Sequence, residues 1–170
     1  MIELLILYEL SKKTLTMYGI SKEIKKEFSV LTMPSYGTIK PALNRLDKGG
    51  YIKSTKTISN GGRPSNFYSI TNSGKEKLEE LILETPLENP IQFLPTARVK
   101  LSCAEILDTN SKKQLFKILK TKSESISIDI KQLQNEKDLE FYPKMVFDNL
   151  ICEYKNFINL LEGFERACNN

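Results

Sequence analysis

Histidine is absent from all 170 residues. Its absence removes the commonest general base, the commonest metal ligand and the usual partner of a serine or cysteine nucleophile. Cysteine is scarce. Cys103, Cys152 and Cys168 are an odd number at no metal-ligand spacing, which suits buried thiols in a reducing compartment. Long apolar runs are missing too. The nearest approach is the start, MIELLILYEL, which carries Glu3 and Glu9 and has neither a basic leader nor a small-residue cleavage site. It is far shorter than the roughly 20 residues that cross a bilayer. A cytoplasmic protein with no membrane partner is expected. With no catalytic constellation, cofactor motif or metal motif, neither an enzyme nor a cofactor or metal is expected.

What the chain does have is an uneven distribution of charge. Its net charge is +4, and all of that surplus lies in residues 1–85, with 13 Lys+Arg against 9 Asp+Glu. The remaining residues balance at 12 against 12. Within Ile20–Tyr68 the contrast sharpens to 9 basic residues against only Glu23, Glu27 and Asp47. A local cationic excess beside a neutral half suits a surface that faces phosphates, although a plain solvated face would look the same on charge alone.

The hydrophobic pattern divides this basic half into short elements. Ile2 to Leu10 is apolar on most sides, so a buried helix is expected, and Thr14, Thr16 and Gly19 mark its end. Ile20, Ile24 and Phe28 stripe a second helix, with Lys22, Lys25 and Lys26 on its other side. Thr32-Met33-Pro34-Ser35 is a turn and helix start, with Ser35 as cap or Pro34 at the first helical position. Ile39, Leu43 and Leu46 then run inward as far as Gly49-Gly50, leaving Gly37, Lys40, Pro41, Asn44 and Lys48 outward. Tyr51 to Ile58 alternates as a strand, Ser59 to Asn66 is turn chemistry, and Phe67 to Ile70 returns. Thr71 or Ser73 caps a further helix that ends near Pro86.

Three helices, a hairpin and a helix make a winged helix-turn-helix. The expected fold class is therefore mainly α with an α+β wing, residues 1–85 forming the winged domain and 86–170 a helical dimerisation domain. In such a fold the third helix enters the major groove and the hairpin reaches phosphates or the minor groove. The residues expected to face DNA are Ser35, Tyr36, Thr38, Lys40 and Asn44 on the helix, and Lys56, Arg63 and Ser65 on the wing.

Beyond a Pro-interrupted linker, PLENPIQFLP, a short apolar helix is expected over Ala97–Leu107 and a long one from Ser111 to about Lys137. Tyr142-Pro143 reads as a break. The last helix carries the stripe Phe147, Leu150, Ile151, Tyr154, Phe157, Ile158 and Leu161. Two such helices in so short a segment cannot bury both stripes alone. A second copy of the chain would cover them, and folding back onto the winged domain is the alternative.

The motifs LLILYEL, MYGISKEI, SYGTIKPALNRLDKGGYI and GRPSNFYSITNSG together resemble the PadR family of transcriptional regulators over about the first 80 residues. The resemblance implies a homodimer that binds a double-stranded DNA operator, an inverted repeat, usually as a repressor. The alternative is a winged-helix protein-interaction module that binds no DNA. Lys40 stands where the family usually has Tyr, which substitutes a phosphate- or guanine-capable cation for an aromatic. The second half resembles family members with a longer, multi-helix C-terminal part. Some members stack aromatic effectors on tryptophan at the dimer centre. This chain has no Trp, so that mode does not transfer and the identity of any small-molecule effector is unreadable.

Overall fold

A computed structural model of the chain describes residues 1–58, 64–85 and 89–168. The elements are α1 (Ile2–Lys12), β1 (Leu15–Thr16), α2 (Met17–Phe28), α3 (Tyr36–Lys48), β2 (Ile52–Ile58), β3 (Pro64–Ile70), α4 (Asn72–Leu83) and α5 (Pro90–Ser102). A 3-10 turn at Ala104–Ile106, α6 (Thr109–Glu136) and α7 (Phe141–Ala167) complete the order. Two compact units result. One comprises Met1–Glu84 and Leu94–Ala104, the other Thr85–Phe93 and Glu105–Asn170. The units thus interleave along the chain between residues 85 and 104 instead of meeting at one cut. Among the described residues, no helix is long and apolar enough to cross a membrane.

In the first unit α1 is the central helix, because its apolar residues leave it no polar face to show to water. Leu4 to Leu7, Tyr8 and Leu10 are all buried, and α2, α3 and α4 pack around them through Ile20, Ile24, Phe28, Ile39, Leu43, Leu46, Leu78 and Ile82. Burying a Leu- or Ile-sized side chain contributes about 1.5–3 kcal/mol, so this set forms the core of the unit. Glu9 is buried in the same helix, and burial pushes its carboxyl up to about 7. The sheet has the order β1-β3-β2, all antiparallel, with Leu15 opposite Tyr68 and Ile52 opposite Ile70.

The turn from α3 into β2 is built on glycine. Gly50 has φ of +72°, a conformation costly for other residues. Thr71 ties α4 to this turn. Its hydroxyl donates to the Gly50 carbonyl at 2.7 Å and accepts from the Gly74 N–H at 3.0 Å. A Cβ on Gly74 would run into the Tyr51 carbonyl oxygen, so glycine here permits close contact between α4 and the turn. On the far end of α4, the buried Lys100 ammonium donates to the carbonyls of Leu81 (2.7 Å), Ile82 (3.3 Å) and Glu84. Burial lowers its pKa to about 8, which leaves it charged at neutral pH, with three donors for three carbonyls at the helix C-terminus.

The second unit is an antiparallel pair of long helices, α6 and α7, cross-linked by Lys120–Glu162 at 2.8 Å and by Gln134 donating to Asp148 at 3.0 Å. Asp108 caps α6 by accepting from the Ser111 N–H at 2.9 Å.

Several local expectations need correction. A two-residue strand, β1, sits where only a break was read, and its Thr16 also caps α2 by accepting from the Gly19 N–H at 3.1 Å. Ser65 and Asn66 belong to β3, not to the turn, because ladder pairing with Thr57 and Lys56 extends the strand back to Pro64. The helix expected at Ala97 starts at Pro90, whose missing N–H costs nothing in a first turn, and it accommodates Pro95. Tyr142-Pro143 lies in the first turn of α7, where proline is tolerated for the same reason, and the break falls earlier, at Lys137–Glu140. Of the thiols, only Cys103 is buried; Cys152 is exposed and Cys168 half-buried.

The stripe on α7 is corrected more substantially. Ile151, Tyr154, Phe157 and Leu161 are buried by the chain's own residues, and the Phe93 ring lies 6.1 Å from Tyr154 and 6.4 Å from Phe157. Only Leu150 of the seven is exposed, with Phe147 and Ile158 half-buried. The most exposed apolar residues of the helix are instead Phe141, Tyr142, Met145 and Val146 at its start, 52–80% exposed, with Leu160 and Phe164 near its end 45% and 39% exposed.

Candidate nucleic-acid interface

Helix α3 is fixed by its inner face and free on its outer one. Ile39, Ala42, Leu43 and Leu46 are buried, whereas Ser35, Tyr36, Gly37, Thr38, Lys40, Pro41 and Asn44 are exposed, as the helical wheel predicts. Ser35 occupies the N-cap position with extended backbone, but its hydroxyl makes no cap hydrogen bond. Its carbonyl accepts from the Thr38 N–H at 3.0 Å, the Ile39 N–H at 3.1 Å and the Thr38 hydroxyl at 2.8 Å. An uncapped, exposed helix start presents backbone N–H groups with a partial positive charge. Pro41 has no N–H to bond the Gly37 carbonyl, so that carbonyl on the outer face is also open to a partner.

The approach to α3 is a tight turn. The N–H groups of Leu31 and Thr32 both donate to the Phe28 carbonyl at 2.8 Å. Ser21 and Lys25 of α2 line a cleft of about 210 Å³ with Met33, Pro34 and Ser35. Lys25 therefore joins the candidate surface, for which its only sequence signal was a place on the outer side of α2.

Ion pairing makes this region more positive than its composition implies. Two of the three acidic residues in Ile20–Tyr68 are held by lysines outside that stretch: Glu27 by Lys12 at 2.6 Å and Glu23 by Lys13 at 3.1 Å. The hydrogen bond from Lys13 holds the Glu23 carboxyl below its usual range. Arg45 bonds Glu3 at 2.6 Å. Lys22, Lys25, Lys26, Lys40, Lys48, Lys53 and Lys56 are exposed, and none makes a salt bridge to another described residue.

On the hairpin, Lys53 to Thr57 of β2 are exposed, Lys56 pairs across the ladder with Asn66, and Thr57 pairs with the half-buried Ser65. Arg63, expected at the tip, lies outside the described residues. The structure thus gathers four of the expected residues on α3, with Ser35 at its N-cap, and two on the hairpin, the two elements joined through Gly49-Gly50.

Three helices on a small antiparallel sheet, with a tight turn leading into an outward-facing third helix, define a winged helix-turn-helix. Within that class the chain belongs to the transcriptional regulator PadR-like family, whose model matches residues 6–80. A PadR-like transcriptional regulator from Bacillus cereus is 35% identical, matching 46% of this chain and 74% of that one at a TM-score of 0.41. A PadR family regulator from Clostridium difficile is 34% identical over 46% of this chain and 79% of its own, also at 0.41. Bacillus subtilis PadR, solved in complex with operator DNA, is 20% identical over 98% of each chain, with a TM-score of 0.46. No curated protein matches the chain. The family is one of transcriptional regulators, not of enzymes.

Proposed function

We propose that this regulator is a repressor that binds a double-stranded DNA operator as a homodimer, with the outer face of α3 in the major groove and the hairpin on the adjacent backbone. The observation that carries this reading is the cationic outer surface of the winged unit. Seven exposed lysines make no salt bridge to another described residue, and Tyr36, Thr38, Lys40 and Asn44 stand outward on a helix locked from behind by Leu43 and Leu46. Unneutralised ammoniums at this density favour a polyanion, and hydroxyl, amide and amine groups on one helix face are the groups that read base edges.

The dimer is supported by α7. Phe141, Tyr142, Met145, Val146 and Leu150 form an exposed apolar band, and a second copy would remove it from water. A twofold dimer that reads successive major grooves places its half-sites about 34 Å apart, so the operator is an inverted repeat of that spacing.

The test is to recover genomic fragments bound by the protein and measure their affinity as a function of salt. Lys40→Ala should weaken binding by about 1–3 kcal/mol. If Lys40 reads guanine, the loss concentrates at one base position. If it meets a phosphate, affinity falls on every sequence and the salt slope shrinks by about one. Absence of any specific fragment would refute the reading and leave a protein partner for the same surface.

A further inference from the structure

Glu9 is out of place in the middle of α1. Its side chain is completely buried, and neither carboxylate oxygen has a hydrogen-bond partner among the described residues. A buried carboxylate with no donor is costly, so its surroundings should explain it. Two further carboxylates surround it. Glu23 and Glu27 stand four residues apart on α2, on one face of that helix. One oxygen from each of Glu9, Glu23 and Glu27 lies within 4.8 Å of the other two.

That spacing has a chemical meaning. Oxygen ligands sit roughly 2.0–2.6 Å from Mg²⁺ or Ca²⁺, so oxygens on opposite sides of one ion are about 4–5 Å apart. A single ion can touch all three carboxylates without backbone movement. The position also holds a cation already. The Lys12 ammonium lies 2.6 Å from Glu27, 3.9 Å from Glu9 and 3.9 Å from the centre of the Tyr8 ring. At 3.9 Å it gives Glu9 charge but no hydrogen bond. Lys12 and Lys13 have side chains 30% and 50% exposed, on flexible stems at the end of α1, so both ammoniums can swing into solvent.

We propose that Glu9, Glu23 and Glu27 form a binding site for one hard divalent cation of the Mg²⁺, Mn²⁺ or Ca²⁺ class, which displaces the Lys12 ammonium and fastens α1 to α2. The donor set is entirely oxygen and the His-free chain adds no nitrogen ligand there, which disfavours zinc and copper. Water completes the coordination on the exposed side, where Glu27 opens to solvent. The ion ties the helix that precedes α3 to the central helix of the winged unit, and so gives this unit a stability that depends on the cation.

The full-length protein, stripped with chelator, is titrated with Mn²⁺, free Mn²⁺ being read from its paramagnetic resonance signal and melting being followed in parallel. One Mn²⁺ per chain is expected to bind, with a rise in Tm. Glu9→Gln should weaken binding at least tenfold. Glu23→Gln, at a partly exposed position, does the same and covers the case in which the core substitution perturbs the fold. Lys12→Met, which removes the competing ammonium, should tighten binding several-fold. The site is overturned if neither wild type nor Lys12→Met binds Mn²⁺ saturably up to millimolar concentration. Binding that survives both glutamine substitutions unchanged overturns it equally.

Discussion

The winged unit and the helical unit solve the same burial problem differently. In the first, three helices close around α1, and side chains from Leu4 to Ile82 reach near-complete burial within one chain. What remains outside is mostly lysine, hydroxyl and amide. In the second, two helices of 28 and 27 residues bury one seam between them and leave Phe141, Tyr142, Met145 and Val146 in water. A pair of helices has only one mutual interface, so any apolar residue off that line stays exposed unless something else covers it. The contrast teaches where each unit looks for partners. The winged unit is complete inside and offers charge, whereas the helical unit offers unburied apolar surface.

The largest effect should come from confusing the two kinds of apolar residue on α7. Leu161 is fully buried within the chain, so Leu161→Glu places an unpaired charge in the seam and should cost about 4 kcal/mol or more, read by urea denaturation. Met145→Glu with Val146→Glu should leave the helical circular dichroism and Tm nearly unchanged. In light scattering it should convert a dimer at micromolar concentration to monomer. A wild-type monomer at that concentration breaks the contrast.

Next is a cost carried by the closed core of the winged unit. Glu9 has a folded pKa of about 7, raised by burial from the 4.5 of a free glutamate. A raised carboxyl pKa means that the folded state holds its proton more tightly than the unfolded state. The resulting stabilisation is complete below about pH 4.5 and is lost as pH rises through 7. In chelator, the wild type should lose roughly 2–3 kcal/mol between pH 5 and pH 8 on this account, and Glu9→Gln should flatten that slope. Equal slopes in both proteins would mean that the carboxyl is hydrated in solution.

The smallest effect tests whether the units differ in their local chemistry as well as in closure. Thr71 caps α4 in one unit and Asp108 caps α6 in the other, each through a side-chain oxygen that accepts a backbone N–H at 3.0 and 2.9 Å. Each replaced by alanine should cost about 1 kcal/mol, with Thr71 the higher because its hydroxyl also donates to Gly50. Thermal melts of both variants would measure this. A Thr71→Ala loss no larger than that of Asp108→Ala would reduce the Gly50 bond to a bystander.

Local periodicity alone determined much of this protein. Ile20, Ile24 and Phe28, and then Ile39, Leu43 and Leu46, repeat with the period of a helix, so both inner faces and the outward positions of Lys40 and Asn44 were readable. Thr71 or Ser73 followed by an apolar stripe announced a capped helix, with the folded chain giving the cap to Thr71, and the motif spacing carried the family resemblance. Tertiary structure decided whatever depends on a neighbour distant in the chain. Nothing near Leu15 foretells a strand, because β1 exists only through its ladder to Phe67 and Tyr68. Arg45 on α3 pairs with Glu3, 42 residues away, a contact that no local pattern announces. Glu9 looked like a polar interruption of an apolar run, and only the packing of α2 against α1 buried it beside Glu23 and Glu27. The α7 stripe shows the same division: its period was legible, but Phe93 and α6 decided which of its residues one chain can cover. A periodic pattern says which residues must leave water, and it takes the folded chain to say what they leave it for.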